Sequence, residues 1–514
     1  MADTDGTIDD DSLEGTGGPD LISGDDGADT LKGRAGDDEI LGQNGNDRIF
    51  GNAGEDTLYG DAGNDTLRGG TENDTLDGGA GLDVLYGEDG DDELTGGDDA
   101  DTLDGAAGND HLDGGNDADS LYGRGGNDTL IGADGDDFAT GGPGDDDIDG
   151  GLGADTLRGG QGDDLILGQD GDDDIDGGDR HDSITGGDGI DTIKGGAGRD
   201  TIEGSSGDDL LYGNGGDDVI YGDLLNGDPL QNSHKDTIYG NNGFDYINGG
   251  GDDDLIYGGN GRDTLEGADG NDSLRGEDDN DNLTGGTGDD TLVGGKGNDT
   301  ALGGTGTDDL RGGQGNDSLN GEDDNDILDG GDGADTLKGG YGDDLIHAGA
   351  GDDTIRAGGN DDTVLGDGGN DTIEAGNDAD LVHGGEGDDL IYGERPGNPT
   401  IDAGPDTLFG DEGNDTLIGG SGDDLLDGGA GDDILTGEAG ADTFYFLEGT
   451  DVITDFEDGI DKISLAGITD FETFEDVLDA AEQDGVDVVI TVDDSSLRIE
   501  NFNLSFLTDD DVLL

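Results

Sequence analysis

The stretch 150–167, GGLGADTLRGGQGDDLIL, is one nonapeptide written twice, G-G-x-G-x-D-x-U-x with U aliphatic. Asp155 and Asp164 stand nine residues apart, and Leu157 and Ile166 follow them at the same offset. Working outward, GGPGDDDID precedes it at 141–149, and GGTGDDTLV, GGKGNDTAL, GGTGTDDLR and GGQGNDSLN fill 285–320. The aspartate keeps its nine-residue frame from Asp20 to Asp218, from Asp236 to Asp389 and from Asp406 to Asp442. These runs hold 23, 18 and 5 copies, 46 in all. A short fixed period of this kind predicts a solenoid, in which each repeat buries its apolar residue only by stacking on its neighbours.

Each repeat supplies a short strand, x-U-x, with one side chain inward and two outward. Leu157, Ile166, Leu292 and Leu310 are therefore expected in the core, with threonine favoured before U as a β-branched strand residue. Glycine at the first, second and fourth positions allows the six intervening residues to turn tightly. Two strands and two turns close a coil of 18 residues, so the 46 repeats predict about 23 coils and a rod on the order of 110 Å. Turns built this way expose carbonyl oxygens, and the sixth-position aspartate adds a carboxylate. An all-oxygen donor set of this kind suits Ca²⁺, with its six to eight flexible ligands, better than Mg²⁺ or Zn²⁺.

Composition sharpens the same point. The 514 residues include 116 Gly, no Trp and no Cys, 28% are hydrophobic, and the formal net charge is −117. Taken alone, these values describe a disordered polyanion. Roughly 40 calcium ions would bring about 80 positive charges and offset most of that repulsion. The acidity argues against nucleic acid and anionic membrane surfaces as partners, both of which reward clustered cations. No apolar run reaches membrane-spanning length, so no membrane span is expected. Residues 1–14 lack the apolar segment of a secretory signal peptide.

Some repeats depart from the pattern. The fourth position holds Glu72, Asp99, Asp117, Arg180, Asp252, Asp279, Asp324, Asn360 or Asp378 in nine of them. Such a residue either distorts the turn or adds an oxygen, and Arg180 is expected to mark a weak or empty site. Ala139 and Ala301 replace the aliphatic U and predict thin places in the core.

The tandem nonapeptide resembles the RTX (repeats-in-toxin, haemolysin-type calcium-binding repeat) family over roughly residues 15–445. The resemblance implies an all-β fold, a parallel β-roll solenoid with a small mixed C-terminal cap and Ca²⁺ between stacked turns. It assigns calcium to the sixth-position aspartates, most clearly Asp146, Asp155, Asp164, Asp290, Asp299, Asp308 and Asp317. Asp83, Asp191, Asp200, Asp263, Asp335, Asp344, Asp389, Asp424 and Asp433 join them as candidate ligands. It further implies export through type I secretion machinery by an uncleaved C-terminal signal, with folding once extracellular calcium is met.

On this reading residues 1–14 form an acidic leader, and 15–221, 240–392 and 410–445 are three roll blocks. Residues 222–239 and 393–409 are inserts, each carrying the end of one repeat, and 446–514 hold the cap and secretion signal. From Phe444 the nine-residue frame is lost to the eye. DFETFEDVLDAAEQ at 470–483 places Phe471, Phe474, Val477, Leu478 and Ala481 on one helical face, with Thr469 and Glu472 spaced as a capping box. VDVVITV and LRIENF, joined by DDSS, predict a hairpin.

The sequence carries neither a zinc-protease H-E-x-x-H nor a G-x-S-x-G nucleophile elbow. Paired carboxylates abound, but glycosidase chemistry needs two of them in unlike environments, which a uniform ladder does not offer. The five histidines are expected as surface decoration. The function expected is that of a secreted, extracellular, non-catalytic calcium-binding protein with a surface or matrix role. One alternative is an accessory module that binds cell-surface polysaccharide through Ca²⁺ or assists an RTX enzyme. Another is an extracellular calcium buffer.

Overall fold

The computed structural model describes residues 3–223, 234–396 and 404–514. Residues 224–233 and 397–403, within the two inserts, lie outside the described residues. Two compact units are present, Met1–Thr264 and Leu265–Leu514.

In both units the nonapeptide makes one strand per repeat, and a strand pairs in parallel with the strand 18 residues on. Leu157 lies beside Ile175 in one sheet, and Ile148 beside Ile166 in the other. In the second unit Leu292 pairs with Leu310, and Ala301 with Leu319. The U residues form the core, with Leu157, Ile166, Leu292 and Leu310 fully buried. Ala139 and Ala301 keep the register and are buried like their neighbours.

The strands are longer than the three residues expected. Thr156–Gln161 is typical, running six residues from position seven through position three of the next repeat. The corner is therefore tighter than the sequence implied. Its backbone groups are satisfied from coil to coil: Asp174 N donates to Asp155 O at 2.9 Å and Gly153 N to Asp170 O at 2.7 Å. The corner also explains the fourth-position glycine. A Cβ on Gly63, where φ is +139°, would coincide with the carbonyl group of Gly45 one coil below.

The nine departures do not break the turn. Glu72, Arg180 and Asp324 take φ of 74°, 92° and 79°, and the other six are likewise left-handed. Each residue accepts the conformation that stacking requires, so Arg180 sits in a formed corner.

Residues 3–14 belong to the roll. Asp3–Thr7 pairs in parallel with Leu21–Asp25, and Ser12–Glu14 with Thr30–Ala35. The roll also runs past Phe444. Thr450–Ile453 pairs with Ile434–Glu438 on one side and Ser495–Ile499 on the other. Lys462–Ser464 lies between Thr443–Tyr445 and Val512–Leu513 in the second sheet. Phe444, Phe456 and Phe502 cluster there, with centroid separations of 6.4 and 5.2 Å.

The helix in this segment is shorter than the pattern suggested, spanning Phe474–Ala480 (α1). Its capping box is Thr473 with Asp476, rather than Thr469 with Glu472. Two competitors shorten it. Phe471 buries in a turn closed by its N–H to Ile468 O, and Ala481–Asp484 is drawn into an antiparallel pair with Asp487–Val492 across Gly485. The DDSS hairpin forms, joining Asp487–Val492 to Ser495–Ile499. Among the described residues no helix is long and apolar enough to cross a membrane.

Candidate metal-binding columns

The sixth-position aspartate follows the corner directly, and the tight turn points its side chain into the roll. All sixteen aspartates singled out above are 0–3% exposed. The two oxygens of each carboxylate have different surroundings. Oδ1 accepts the backbone N–H of the aspartate one coil earlier: Asp137 N to Asp155 Oδ1 at 2.7 Å, Asp146 N to Asp164 Oδ1 at 2.8 Å, Asp299 N to Asp317 Oδ1 at 2.7 Å. The bond survives the inserts, where Asp209 N reaches Asp236 Oδ1 at 2.8 Å and Asp380 N reaches Asp406 Oδ1 at 3.0 Å. The inserts thus leave the column in register.

Oδ2 is the unusual atom. From Asp29 to Asp218, and again from Asp290 to Asp389, every frame aspartate buries an Oδ2 that has no hydrogen-bond partner. A buried carboxylate oxygen left in this state is costly unless a proton or a cation meets it. Around it lies a cradle floored by the first-position glycine. A Cβ built on Gly96 would meet Asp101 Oδ2 and the carbonyl oxygen of Gly114, each at 2.5 Å. Carboxylate and carbonyl oxygens thus converge over a residue with no side chain.

Electrostatics point the same way. Burial pushes the carboxyls of Asp101, Asp146 and Asp155 up to about 7, against the partial relief of the N–H bond and with further elevation from their column neighbours. Asp74 and Asp209 are pushed up to about 8 and Asp380 to about 9, again mainly by burial. An acceptor-only oxygen set held in one line is what a hard cation requires. Among the described residues no three carboxylate or imidazole groups converge on one point. An ion here would accordingly take its carboxylate oxygen from the column and the rest of its ligands from corner carbonyls. The donor set fits calcium. When bound, the ion supplies the positive charge that lets these aspartates stay ionised out of water.

Three features escaped the sequence reading. The aspartate frame extends at both ends: Asp11 N donates to Asp29 Oδ1 at 2.6 Å, while Asp451 and Asp461 accept from Asp433 N and Asp442 N at 3.2 and 3.1 Å. The nine-residue step from Asp442 to Asp451 was there to be counted, although the aromatic texture hid it. Second, the fifth position carries its own ladder, running the opposite way. Asn109 Oδ1 accepts from Asn127 N at 2.8 Å, Asn127 Oδ1 from Asp145 N at 3.0 Å, and Asp145 Oδ1 from Asp163 N at 3.0 Å. The recurring GND and GDD triplets are its signal. Third, several histidines do more than decorate. His181 Nδ1 takes a place in that ladder by accepting Arg199 N at 2.9 Å. His234 pairs with buried Asp223 at 3.2 Å, and His383 stacks on Phe409 beside Asp411.

The profile of the RTX calcium-binding nonapeptide repeat matches in eighteen overlapping copies, from 5–40 to 418–453, leaving only 228–231 and 396–400 between them unmatched. Comparison with curated proteins gave no match. Among solved structures, the extracellular lipase LipA from Serratia marcescens is similar at 24% identity with a TM-score of 0.22. The match covers 41% of this chain and 40% of the lipase chain. Repeats that fill nearly the whole sequence, wound as a parallel β-roll, make this chain a member of the RTX calcium-binding nonapeptide repeat family.

Proposed function

We propose that this protein is exported unfolded through type I secretion machinery and becomes a calcium-stiffened, non-catalytic element outside the cell, at its surface or in the surrounding matrix. The observation that carries the reading is the column of buried Oδ2 atoms without hydrogen-bond partners. Such a column is unstable where calcium is scarce and stable where it is plentiful, so the gradient across the envelope drives folding on the outer side. The test is a calcium titration of metal-free chain followed by circular dichroism and small-angle scattering. A coil-like chain should convert to a β-rich particle, with tens of ions bound per chain. A stoichiometry of only a few ions would refute the reading.

A further inference from the structure

The two sheets of the first unit present unlike outer faces. On each strand the seventh and ninth positions, and the second position of the next repeat, stay open to solvent, as in Thr156–Gln161. In one sheet the thirteen strands from Leu21–Asp25 to Tyr246–Gly251 carry fourteen Asp and Glu, all but Asp223 outward, and no Lys or Arg. In the other, the thirteen from Thr30–Ala35 to Leu255–Asn260 carry seven Lys and Arg against six Asp and Glu. On a chain with 19 Lys and Arg against 136 Asp and Glu, this is a neutral face on a polyanion. The second unit has none. Its strands from Ser273–Asp278 to Leu425–Asp427 carry three bases against ten acids, and those from Asn282–Thr287 to Ile434–Glu438 two against five.

The bases of the neutral face lie over its rings and against its acids. Lys32 sits 5.8 Å from the centroid of Phe50, Arg68 4.2 Å from Tyr86, Arg124 4.7 Å from Tyr122 and Arg158 5.6 Å from Phe138. Four of the seven bases are also paired with acids of the same sheet. Arg34 meets Glu14 at 2.9 Å, Arg68 Glu88 at 2.8 Å, Arg124 Asp104 at 3.1 Å and Lys194 Asp174 at 3.8 Å. Aromatic rings and arginines are what the cores of protein interfaces are rich in. An unpaired charge is the costly thing to bury there, and lateral pairing spares these four. Charge also changes along the face. The strands Thr30–Ala35, Arg48–Ala53 and Thr66–Thr71 hold Lys32, Arg34, Arg48 and Arg68 and no acid, whereas Asp174–Asp179 holds three aspartates and no base. Between them the strands are mixed, with Glu88, Asp89 and Asp104 followed by Arg124 and Arg158.

A polyanionic partner gains little from a face whose bases and acids nearly balance. A second copy of this chain fits it better. Every other sheet face is net acidic, so two copies repel there and meet without net repulsion only through this one. We propose that two copies pack antiparallel through this face of the first unit, the basic end of each on the Asp174–Asp179 strand of the other. Antiparallel packing brings opposite charges together, whereas parallel packing would set each charge against its like. An overlap of about ten strands covers roughly 900 Å² of each copy, close to the about 800 Å² per partner of a standard stable interface. The contact is isologous and closes at two copies. It deepens the surface or matrix role above and rests on that reading only in needing the coils folded and stacked.

The test is sedimentation velocity of the full chain in millimolar calcium over two decades of protein concentration. Circular dichroism on the same samples reports folding separately, so a failure of calcium-driven folding is read there and not in the association. A dimer is expected, weakened about tenfold or more by Lys32→Glu with Arg34→Glu, or by Tyr86→Ala with Tyr122→Ala. Adding Asp174→Lys and Asp176→Lys to the first pair should restore it, and Lys338→Glu, in the second unit, should leave it unchanged. The chain has no cysteine, so single ones report the geometry. A short bis-maleimide should join Ser120→Cys, near the middle of the overlap, to its own counterpart. It should not join Thr30→Cys, at one end of the face, or Ser183→Cys, on the acidic sheet. Folded chain that stays monomeric at every concentration would overturn the proposal, as would a dimer indifferent to the charge reversals. Cross-linking through Ser183→Cys would place the contact on the acidic sheet, and through Thr30→Cys would make it parallel; either result refutes it.

Discussion

Protons should be able to replace calcium. The carboxyls of Asp101, Asp110, Asp146 and Asp155 are pushed up to about 7, chiefly by burial, from a reference value of 3.8. Keeping one of them ionised in the folded, metal-free roll therefore costs about 4 kcal/mol at pH 8. Three such sites cost about 12 kcal/mol, which is as much as the whole stability of an ordinary domain. The folded pKa lies above the unfolded one, so the folded chain binds more protons between the two values. Stability of the metal-free roll is then fullest below about pH 4 and falls as pH rises toward 7 to 8. Calcium reverses this, because a bound cation favours the ionised form. Chain dialysed free of metal should be coil-like by circular dichroism at pH 8 and gain β signal steadily on acidification. With calcium, the same signal should persist from pH 8 down to pH 4.5, and the calcium needed to hold it should fall as protons take the ion's place. Full β structure in metal-free chain at pH 8, or no gain on acidification to pH 4.5, would refute the reasoning.

Three further outcomes follow from particular contacts. Asp155→Asn keeps the acceptor for Asp137 N while removing the charge. It should stabilise the metal-free chain by about 1–3 kcal/mol and destabilise the calcium-loaded one, a sign change that paired denaturant titrations detect. Gly63→Ala drives a methyl into the Gly45 carbonyl in a left-handed corner, whereas Gly18→Ala meets nothing within 4 Å. The first should cost more than about 2 kcal/mol and the second almost nothing by urea denaturation in calcium. Asn127→Ala removes the acceptor for Asp145 N and should cost about 1 kcal/mol to the same extent at any calcium level that folds the chain.

The period was enough to place the core, because the eighth position is where an aliphatic residue recurs in step with the aspartate. Leu157 and Ile166 are where the count put them. The sixth-position carboxylates were legible for the same reason, since one register serves every turn. What the count could not give was direction. That Oδ1 is consumed by the neighbouring coil while Oδ2 is left bare depends on how the corner rotates the side chain, and the residue letters are silent on that. The C-terminal segment was harder because it changes period partway. The step from Asp451 to Asp461 is ten residues rather than nine, and Phe444 and Phe456 fill the interior that leucine fills elsewhere. The helix was over-read because Phe471 and Ala481 suit a helical face by spacing, while burial and strand pairing claim them first.

The fifth and sixth positions together show what the aspartate is for. Both side chains accept a backbone N–H from an adjacent coil, one from the coil ahead and the other from the coil behind. At the fifth position asparagine and aspartate interchange freely along the chain, as in Asn109, Asn127, Asp145 and Asp163. An amide oxygen is evidently as good as a carboxylate for that ladder. At the sixth position all 46 frame residues are aspartate. Asparagine would serve the Oδ1 bond equally well. Its NH₂ would put a neutral donor where Oδ2 lies buried without a partner, in the cradle that the next coil's glycine carbonyl also enters. If hydrogen bonding were the purpose, the neutral residue would be the better choice at every coil, and the chain would shed much of its −117 charge. The persistent choice of the residue that is worse without a cation is explained only by a cation.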